Sequence, residues 1–349
     1  MLVHRHRHAG SRTRRSRGGR VPSPVGRKPA AELLGVGDVV LEIVSGQRGP
    51  RAAGAEIVRR FVELHGRRVS YLTAGDSGPT ILLIHGSGVS ARSWVNQLRG
   101  LAGAVRVVAI DLPGHGESDP MRHASVEQYG GIVANFLDAL GTGPVIAAGH
   151  SLGGAIAIAL AAQRPGAVKG LVLLASCAKL PRVDGPGERW LAYLPGPLRK
   201  LVFFSMAKKI LFGPGAPDGA VSLGMQELRS CRPETILDDV QAAKTMDLSA
   251  EAARLDVPTL VLCGSKDRLT PPALAERLSQ LIPGSRLGII EGAGHMVLLE
   301  VPERVNHEIL SFVGSVVALA DVPSCPAVGD RQRRSLARRL LATLKSVLK

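Results

Sequence analysis

The chain has 349 residues, enough for one large domain or two ordinary ones, and 45% of them are hydrophobic although only 3% are aromatic. A core of that composition is built from Ala, Val, Leu and Ile, and no uncharged apolar run approaches the roughly 18 residues that would span a bilayer. The formal net charge of +15 sits in two tails, nine Arg or Lys without an acid in residues 1–30 and seven without an acid in residues 331–349, so the near-neutral body between them argues against a polyanion-binding main domain.

Residues 1–55 form a basic segment, and its first 30 residues are too rich in Arg, Gly and Pro to offset the entropy of ordering, so the reading is largely disorder. His4, His6 and His8 alternate there, in what reads as a solvated arm. The arginine-rich start lacks the roughly 7–15-residue apolar stretch of an export signal. Cys177, Cys231, Cys263 and Cys325 are scattered without metal-ligand spacing, as free thiols in a reducing compartment would be. The expected location is therefore cytoplasmic.

From residue 56 a rhythm begins. "FVELHGRRVSYLTAG" predicts a hairpin turning at His65-Gly66, and "TILLIHG" is a continuous apolar run of the kind a strand covered on both faces requires. Then "SARSWVNQLRGLA" predicts helix, "VRVVAIDLPG" strand, "VEQYGGIVANFLDALG" helix, "PVIAAGHS" strand, "LGGAIAIALAAQRPG" helix and "VKGLVLLAS" strand. After an irregular stretch the alternation resumes with "PTLVLCGSKD", "PPALAERLSQLIP", "SRLGIIEGAGH" and "VPERVNHEILSFV". Strand and helix in turn predict an α/β body over 56–318, with a parallel sheet between helices. Residues 178–247 lack strand pattern and are expected to rise above the strand ends as an inserted lid.

The segment "GHSLGG" holds the chemistry. Gly149-x-Ser151-x-Gly153 is weak by itself in a chain with 41 glycines, but here a strand precedes it and a helix follows, as a serine held on a sharp turn demands. A hydroxyl needs a base to become a nucleophile. His295, in the Gly-rich loop after the last strand, is the candidate; His85 and His115 also follow strands, where a local hydrogen-bonding role is the simpler reading. Asp267 follows another strand, and the order Ser151, Asp267, His295 suits a nucleophile elbow; Asp111 reads as a turn-forming acid. Backbone amides of Leu152 and of Ser87, with Gly88 as neighbour, are the candidate donors to an oxyanion.

"HGSGVSARSW", "DLPGHGESD", "GHSLGG", "LVLCGSKDRLTPP" and "GAGHMVLLEVPERVN" resemble, in order and spacing, the blocks of the α/β-hydrolase fold superfamily, over about residues 58–315 without the lid. The resemblance implies an eight-stranded, mostly parallel sheet flanked by helices, with a helical cap after the sixth strand. It further implies Ser151 as nucleophile, Asp267 as orienting acid, His295 as base, and an oxyanion hole from Ser87 and Leu152. Serine rather than aspartate at the nucleophile argues against the haloalkane dehalogenase and epoxide hydrolase branches, and "HGSG" disfavours the carbon–carbon bond hydrolases. "GHSLGG" does not choose among esterases, lactonases and thioesterases. The expected activity is cleavage of a carboxylic ester through an acyl-enzyme, without metal or cofactor; a non-catalytic binding scaffold on this fold is the rival. Expected substrate contacts are Gly86, Gly88 and His150, with Trp190, Phe203 and Phe204 of the lid, whose apolar enrichment leans towards a hydrophobic ester.

Residues 319–349 read as a linker and a basic amphipathic helix. At about 100° per residue, Leu336, Leu340, Leu341, Leu344, Val347 and Leu348 share roughly 140° of arc opposite most of the arginines and lysines, a pattern suited to an anionic membrane surface or to docking on the chain's own body. Nucleic-acid binding through the tails has no supporting aromatic platform, and the oligomeric state is not legible.

Overall fold

The computed structural model describes residues 56–120, 125–181 and 196–320. The expectations for residues 1–55, for Trp190 and Tyr193, and for the helix at 331–349 lie outside them.

Strands β1 (Val58–Leu64) and β2 (Arg67–Ala74) form the predicted hairpin. His65 and Gly66 turn it with φ of 50° and 73°, the left-handed pair that matches the twist of the flanking strands. β2 pairs antiparallel with β4 (Arg106–Ile110), and every later pairing is parallel. β3 (Thr80–Ile84), β5 (Val145–His150), β6 (Val168–Leu174), β7 (Thr259–Gly264) and β8 (Arg286–Ile290) complete one eight-stranded sheet in the order β1-β2-β4-β3-β5-β6-β7-β8.

The apolar run in β3 shows why the sheet must be covered twice. Ile81, Leu82, Leu83 and Ile84 are all fully buried, with Leu82 and Ile84 in one core cluster and Ile81 and Leu83 in the other. Alternate side chains point to opposite faces, and each such burial stabilises the fold by about 1.5–3 kcal/mol. The first face is covered by α2 (Val126–Leu140), α3 (Leu152–Gln163) and α8 (Pro272–Leu281). The second is covered by α1 (Val95–Leu101), α9 (Val297–Glu300) and α10 (Pro302–Ala320). α2 starts at a reciprocal cap between Ser125 and Gln128 and ends at Gly141 in the left-handed region. α3 is apolar all round because the sheet, α2 and its other neighbours enclose it.

Between β6 and β7 the chain inserts α4 (Gly196–Leu211), α5 (Asp218–Ser230) and α6 (Pro233–Thr245), then α7 (Ser249–Ala253), which rejoins the first core face. The insertion leaves and returns side by side. Leu248 N–H donates to the Ala178 carbonyl at 2.9 Å, and Lys179 pairs with Asp247 at 2.6 Å.

Candidate active site

β5 is buried along its whole length and delivers Ser151 to the carboxyl end of the sheet. Ser151 has φ 55° and ψ −121°, a conformation that costs a residue with a side chain about 1–3 kcal/mol and persists only where neighbours enforce it. They do so here. Ser151 N–H donates to the Leu174 carbonyl at 2.8 Å, while its own carbonyl accepts from Gly154 N–H at 2.9 Å and Ser176 Oγ at 2.8 Å. The turn is tight enough that a Cβ on Gly149 would lie 2.2 Å from the Gly153 carbonyl oxygen, and one on Gly153 would lie 2.2 Å from that of Ile84. That is the physical content of the glycine pair around the serine.

The loop after β3 runs alongside. A Cβ on Gly86 would be 3.0 Å from Ser151 Cβ, so Ser87 follows immediately on a residue packed against the nucleophile candidate. Leu152 opens α3, where first-turn amides have no partner within the helix. His85 anchors this loop by donating from Nδ1 to the Gly86 carbonyl at 2.8 Å and accepting Leu112 N–H on Nε2 at 2.9 Å. Burial, and then the nearby His115, push its pKa down to about 3, so it is neutral and fully used. Asp111 is a structural acid as its sequence suggests: it accepts Ala91 N–H at 2.8 Å and pairs with Arg59 at 2.7 Å.

The ends of β7 and β8 bring Asp267 and His295 together, both almost completely buried. His295 Nδ1 lies 2.9 Å from Asp267 Oδ2, and Asp267 Oδ1 accepts the amides of Leu269 and Thr270 at 2.9 Å each. Burial alone would raise the Asp267 pKa, but the hydrogen bond and charge of His295, with the Thr270 bonds, hold it below the usual carboxylate value. Thr270 Oγ1 sits 2.8 Å from Asp267 Oδ2, 2.9 Å from the Ala175 carbonyl and 3.1 Å from His295 Nδ1. Its proton serves one acceptor while its lone pair faces the imidazole N–H. Thr270 stands within the "KDRLTPP" block but has no motif of its own to mark it. Among the described residues all hydrogen bonds of the His295 ring fall on Nδ1, so the tautomer this network favours keeps a lone pair on Nε2.

His150 joins the two halves. Its Nε2 donates to the His295 carbonyl at 2.9 Å, and the two rings lie 4.9 Å apart. Burial, and then His295, push its pKa to about 3. The histidine adjacent to Ser151 thus holds the backbone of the His295 loop, and the residue is only 2% exposed.

The insertion packs against the loop after β3. A Cβ on Gly88 would lie 2.8 Å from Leu228 Cδ1 of α5 and 3.8 Å from Ile236 of α6, two apolar neighbours that sequence alone did not single out. Phe204 is partly buried in the second core face under the Arg229 guanidinium, and its edge partner Phe203 is 43% exposed. α5 is tied to the body by Glu227, which takes a hydrogen bond from Ser90 and pairs with Arg92 at 3.5 Å. α6 is tied by Asp239, fully buried, which accepts from His115 Nε2 at 2.9 Å and Tyr129 Oη at 2.8 Å. A cavity of about 190 Å³ between α5 and the body is walled by Arg59, Arg92, Glu117, Glu227 and Cys231; Ser151, Asp267 and His295 do not line it. Among the described residues no helix is long and apolar enough to cross a membrane.

Residues 81–308 match the model of the alpha/beta hydrolase family. A pimeloyl-[acyl-carrier protein] methyl ester esterase of Neisseria meningitidis serogroup C is 32% identical over 250 residues, covering 69% of this chain and 96% of that one. The structure of a thermophilic esterase superposes with a TM-score of 0.65 at 31% identity, over 75% of this chain and 99% of that one. A hydrolase from Pseudomonas aeruginosa PA01 gives 0.64 at 26% identity, over 76% and 100%. The eight-stranded sheet, the block order and these matches agree, and the chain belongs to the alpha/beta hydrolase family.

Proposed function

We propose that this hydrolase cleaves carboxylic esters with a hydrophobic acyl or alcohol group, through an acyl-enzyme on Ser151. The observations that carry the reading are a strained Ser151 at the end of β5 and, at neighbouring strand ends of the same sheet, a buried His295 whose Nδ1 lies 2.9 Å from Asp267. His295 Nε2 takes the Ser151 proton as Oγ attacks the ester carbonyl. The negative charge that develops on the carbonyl oxygen is met by the amides of Ser87 and Leu152. His295 then protonates the leaving alcohol, and water repeats the cycle on the acyl-enzyme. Asp267 keeps the imidazole in the useful tautomer and stabilises its charged form. Two relatives that carry the word esterase in their names support an ester over other acyl bonds.

The helices of 178–247 act as a cap in this reading, and Leu228 and Ile236, packed on Gly88, wall the acyl side. Gly86 gives the loop its close approach to Ser151, while Phe203 and Phe204 stand at the cap's outer and inner surfaces. The basic 331–349 segment is assigned to peripheral contact with an anionic membrane, checked by co-sedimentation with anionic liposomes before and after its deletion.

Ser151→Ala is expected to fold, to lose covalent labelling by a fluorophosphonate, and to lose at least about 10⁴-fold in kcat. Labelling that persists in that variant refutes the assignment. Initial rates on aryl esters, thioesters and lactones of graded chain length read the bond class; faster turnover of thioesters or lactones than of the matching esters would overturn the ester reading.

A further inference from the structure

Glu300, at the end of α9, is a carboxylate only 5% exposed. Its Oε2 accepts two backbone amides at once, Gly294 N–H at 2.9 Å and Gly213 N–H at 2.9 Å. Gly294 immediately precedes His295, and Gly213 lies two residues beyond the last residue of α4. One oxygen atom therefore grips the base loop and the insertion together. Oε1 is buried with no hydrogen-bond partner, and burial raises the pKa of the group above its ordinary value. A lone structural carboxylate has cheaper solutions than this. Burying a carboxylate is unfavourable unless its hydrogen bonds offset the lost solvation, which calls for a return elsewhere.

The surroundings say where the return lies. Met296 N–H donates to the Leu211 carbonyl at 3.0 Å, so the base loop is bonded to the end of α4 on both sides of His295. The approach leaves no room: a Cβ on Gly213 would fall 2.6 Å from the Gly292 carbonyl and 2.9 Å from Gly294 N, and one on Gly294 would fall 2.3 Å from Gly213 N. The other side of the loop rests on the turn after β7, where Lys266 N–H donates to the Ala293 carbonyl at 2.8 Å. Residues 292–296 are thus clamped between the strand that leads to Asp267 and the insertion. Glu300 supplies the only side-chain acceptor on the insertion side among the described hydrogen bonds.

We propose that Glu300 is a positioning residue for the base: by bridging the amides of Gly294 and Gly213 it sets His295 against Asp267 and couples that setting to the position of the insertion. The inference rests on the serine-hydrolase reading for its kinetic consequence, though not for its geometry. Displacement of a reacting group by about 1 Å can cost up to about 10²-fold in rate, and a clamp that holds the loop to the insertion makes the base sensitive to whatever moves the insertion.

The test compares Glu300→Ala, Glu300→Gln, Glu300→Asp and Gly213→Ala in the full chain. One readout is the downfield proton resonance of the His295–Asp267 hydrogen bond, assigned by its loss in Asp267→Asn and observed without substrate. The other is kcat and KM per site titrated with a fluorophosphonate. Glu300→Ala is expected to broaden or shift the resonance and to lower kcat per titrated site by about tenfold or more, with KM changed by less than about threefold. Glu300→Gln retains an oxygen for both amides and should restore kcat to within about threefold of the native chain. Gly213→Ala, whose Cβ would press on Gly292, Gly294 and Glu300 alike, should move the same resonance. A folded Glu300→Ala with an unchanged resonance and kcat within about twofold overturns the proposal, as does Glu300→Gln as impaired as alanine. Where circular dichroism shows Glu300→Ala unfolded, Glu300→Asp, one methylene too short to hold both amides, decides, and an unmoved resonance there overturns the proposal. Absence of fluorophosphonate labelling in the native chain would refute the hydrolase reading, leaving the substrate-free resonance to judge Glu300 on its own.

Discussion

Among the described residues stand two buried histidine–aspartate pairs with the same separation, His295–Asp267 and His115–Asp239, each at 2.9 Å. They differ in the other ring nitrogen. In His295 the recorded hydrogen bonds all use Nδ1, so Nε2 retains a lone pair. In His115 Nε2 faces Asp239 and Nδ1 faces the Pro113 carbonyl at 3.2 Å. Two acceptors need two N–H groups, so His115 is held as an imidazolium: burial alone would lower its pKa, but the Asp239 hydrogen bond overrides it. A protonated, doubly engaged ring has nothing with which to accept a proton. The first pair is fit for base catalysis, while the second pins α6 to the loop after β4 and, through Tyr129, to α2. Distance between partners does not separate the two roles; the unengaged nitrogen does.

Substitution should split the pairs cleanly. His295→Ala is expected to cost at least about 10⁴-fold in kcat/KM with a smaller fall in stability than loss of His115, because the Leu269 and Thr270 amides still hold Asp267, and Asp267→Asn about as much in rate through the wrong tautomer. His115→Gln should show the reverse, retaining fluorophosphonate labelling of Ser151 while losing about 3–5 kcal/mol of stability, because Asp239 is left buried without its partner. Equal kinetic losses in His295→Ala and His115→Gln, measured below their melting temperatures, would erase the distinction.

Acidity and alkalinity should act on different histidines. The pKa of His115 is raised, so its contribution to stability is complete below about pH 6.5 and is lost as pH climbs towards about 10. Proteolysis within the insertion should therefore accelerate over that range, and His115→Gln should flatten the dependence. His85 and His150 are depressed to about 3, so below about pH 6.5 the unfolded chain binds protons that the folded chain refuses. Each then removes about 1.4 kcal/mol per pH unit, which urea unfolding at pH 7 and pH 5 can measure. Thr270→Val carries the smallest expected effect, about 1 kcal/mol of stability and up to about tenfold in kcat, because Asp267 keeps the imidazole bond without it.

The strand and helix rhythm was legible because each parallel strand is apolar on both faces, as Ile81 to Ile84 illustrate. The placement of Ser151, Asp267 and His295 after strand ends was legible because each lies in a loop with its own glycine or acid pattern. His115 attracted notice for the same reason, but its partner lies 124 residues away on a helix of the insertion, where an aspartate looks like any surface acid. Glu300 and Leu228 were hidden likewise, since their meaning comes from Gly213, Gly294 and Gly88 across tertiary contacts. Sequence pattern marks groups that act at the ends of strands; it is silent on groups whose partners are fixed only when the insertion docks.

The left-handed backbone at Ser151 has a consequence for the history of such a chain. Glycine would adopt the same φ without strain, so Ser151→Gly should leave the fold at least as stable while removing the proposed nucleophile. Selection for stability and selection for turnover therefore pull residue 151 in opposite directions.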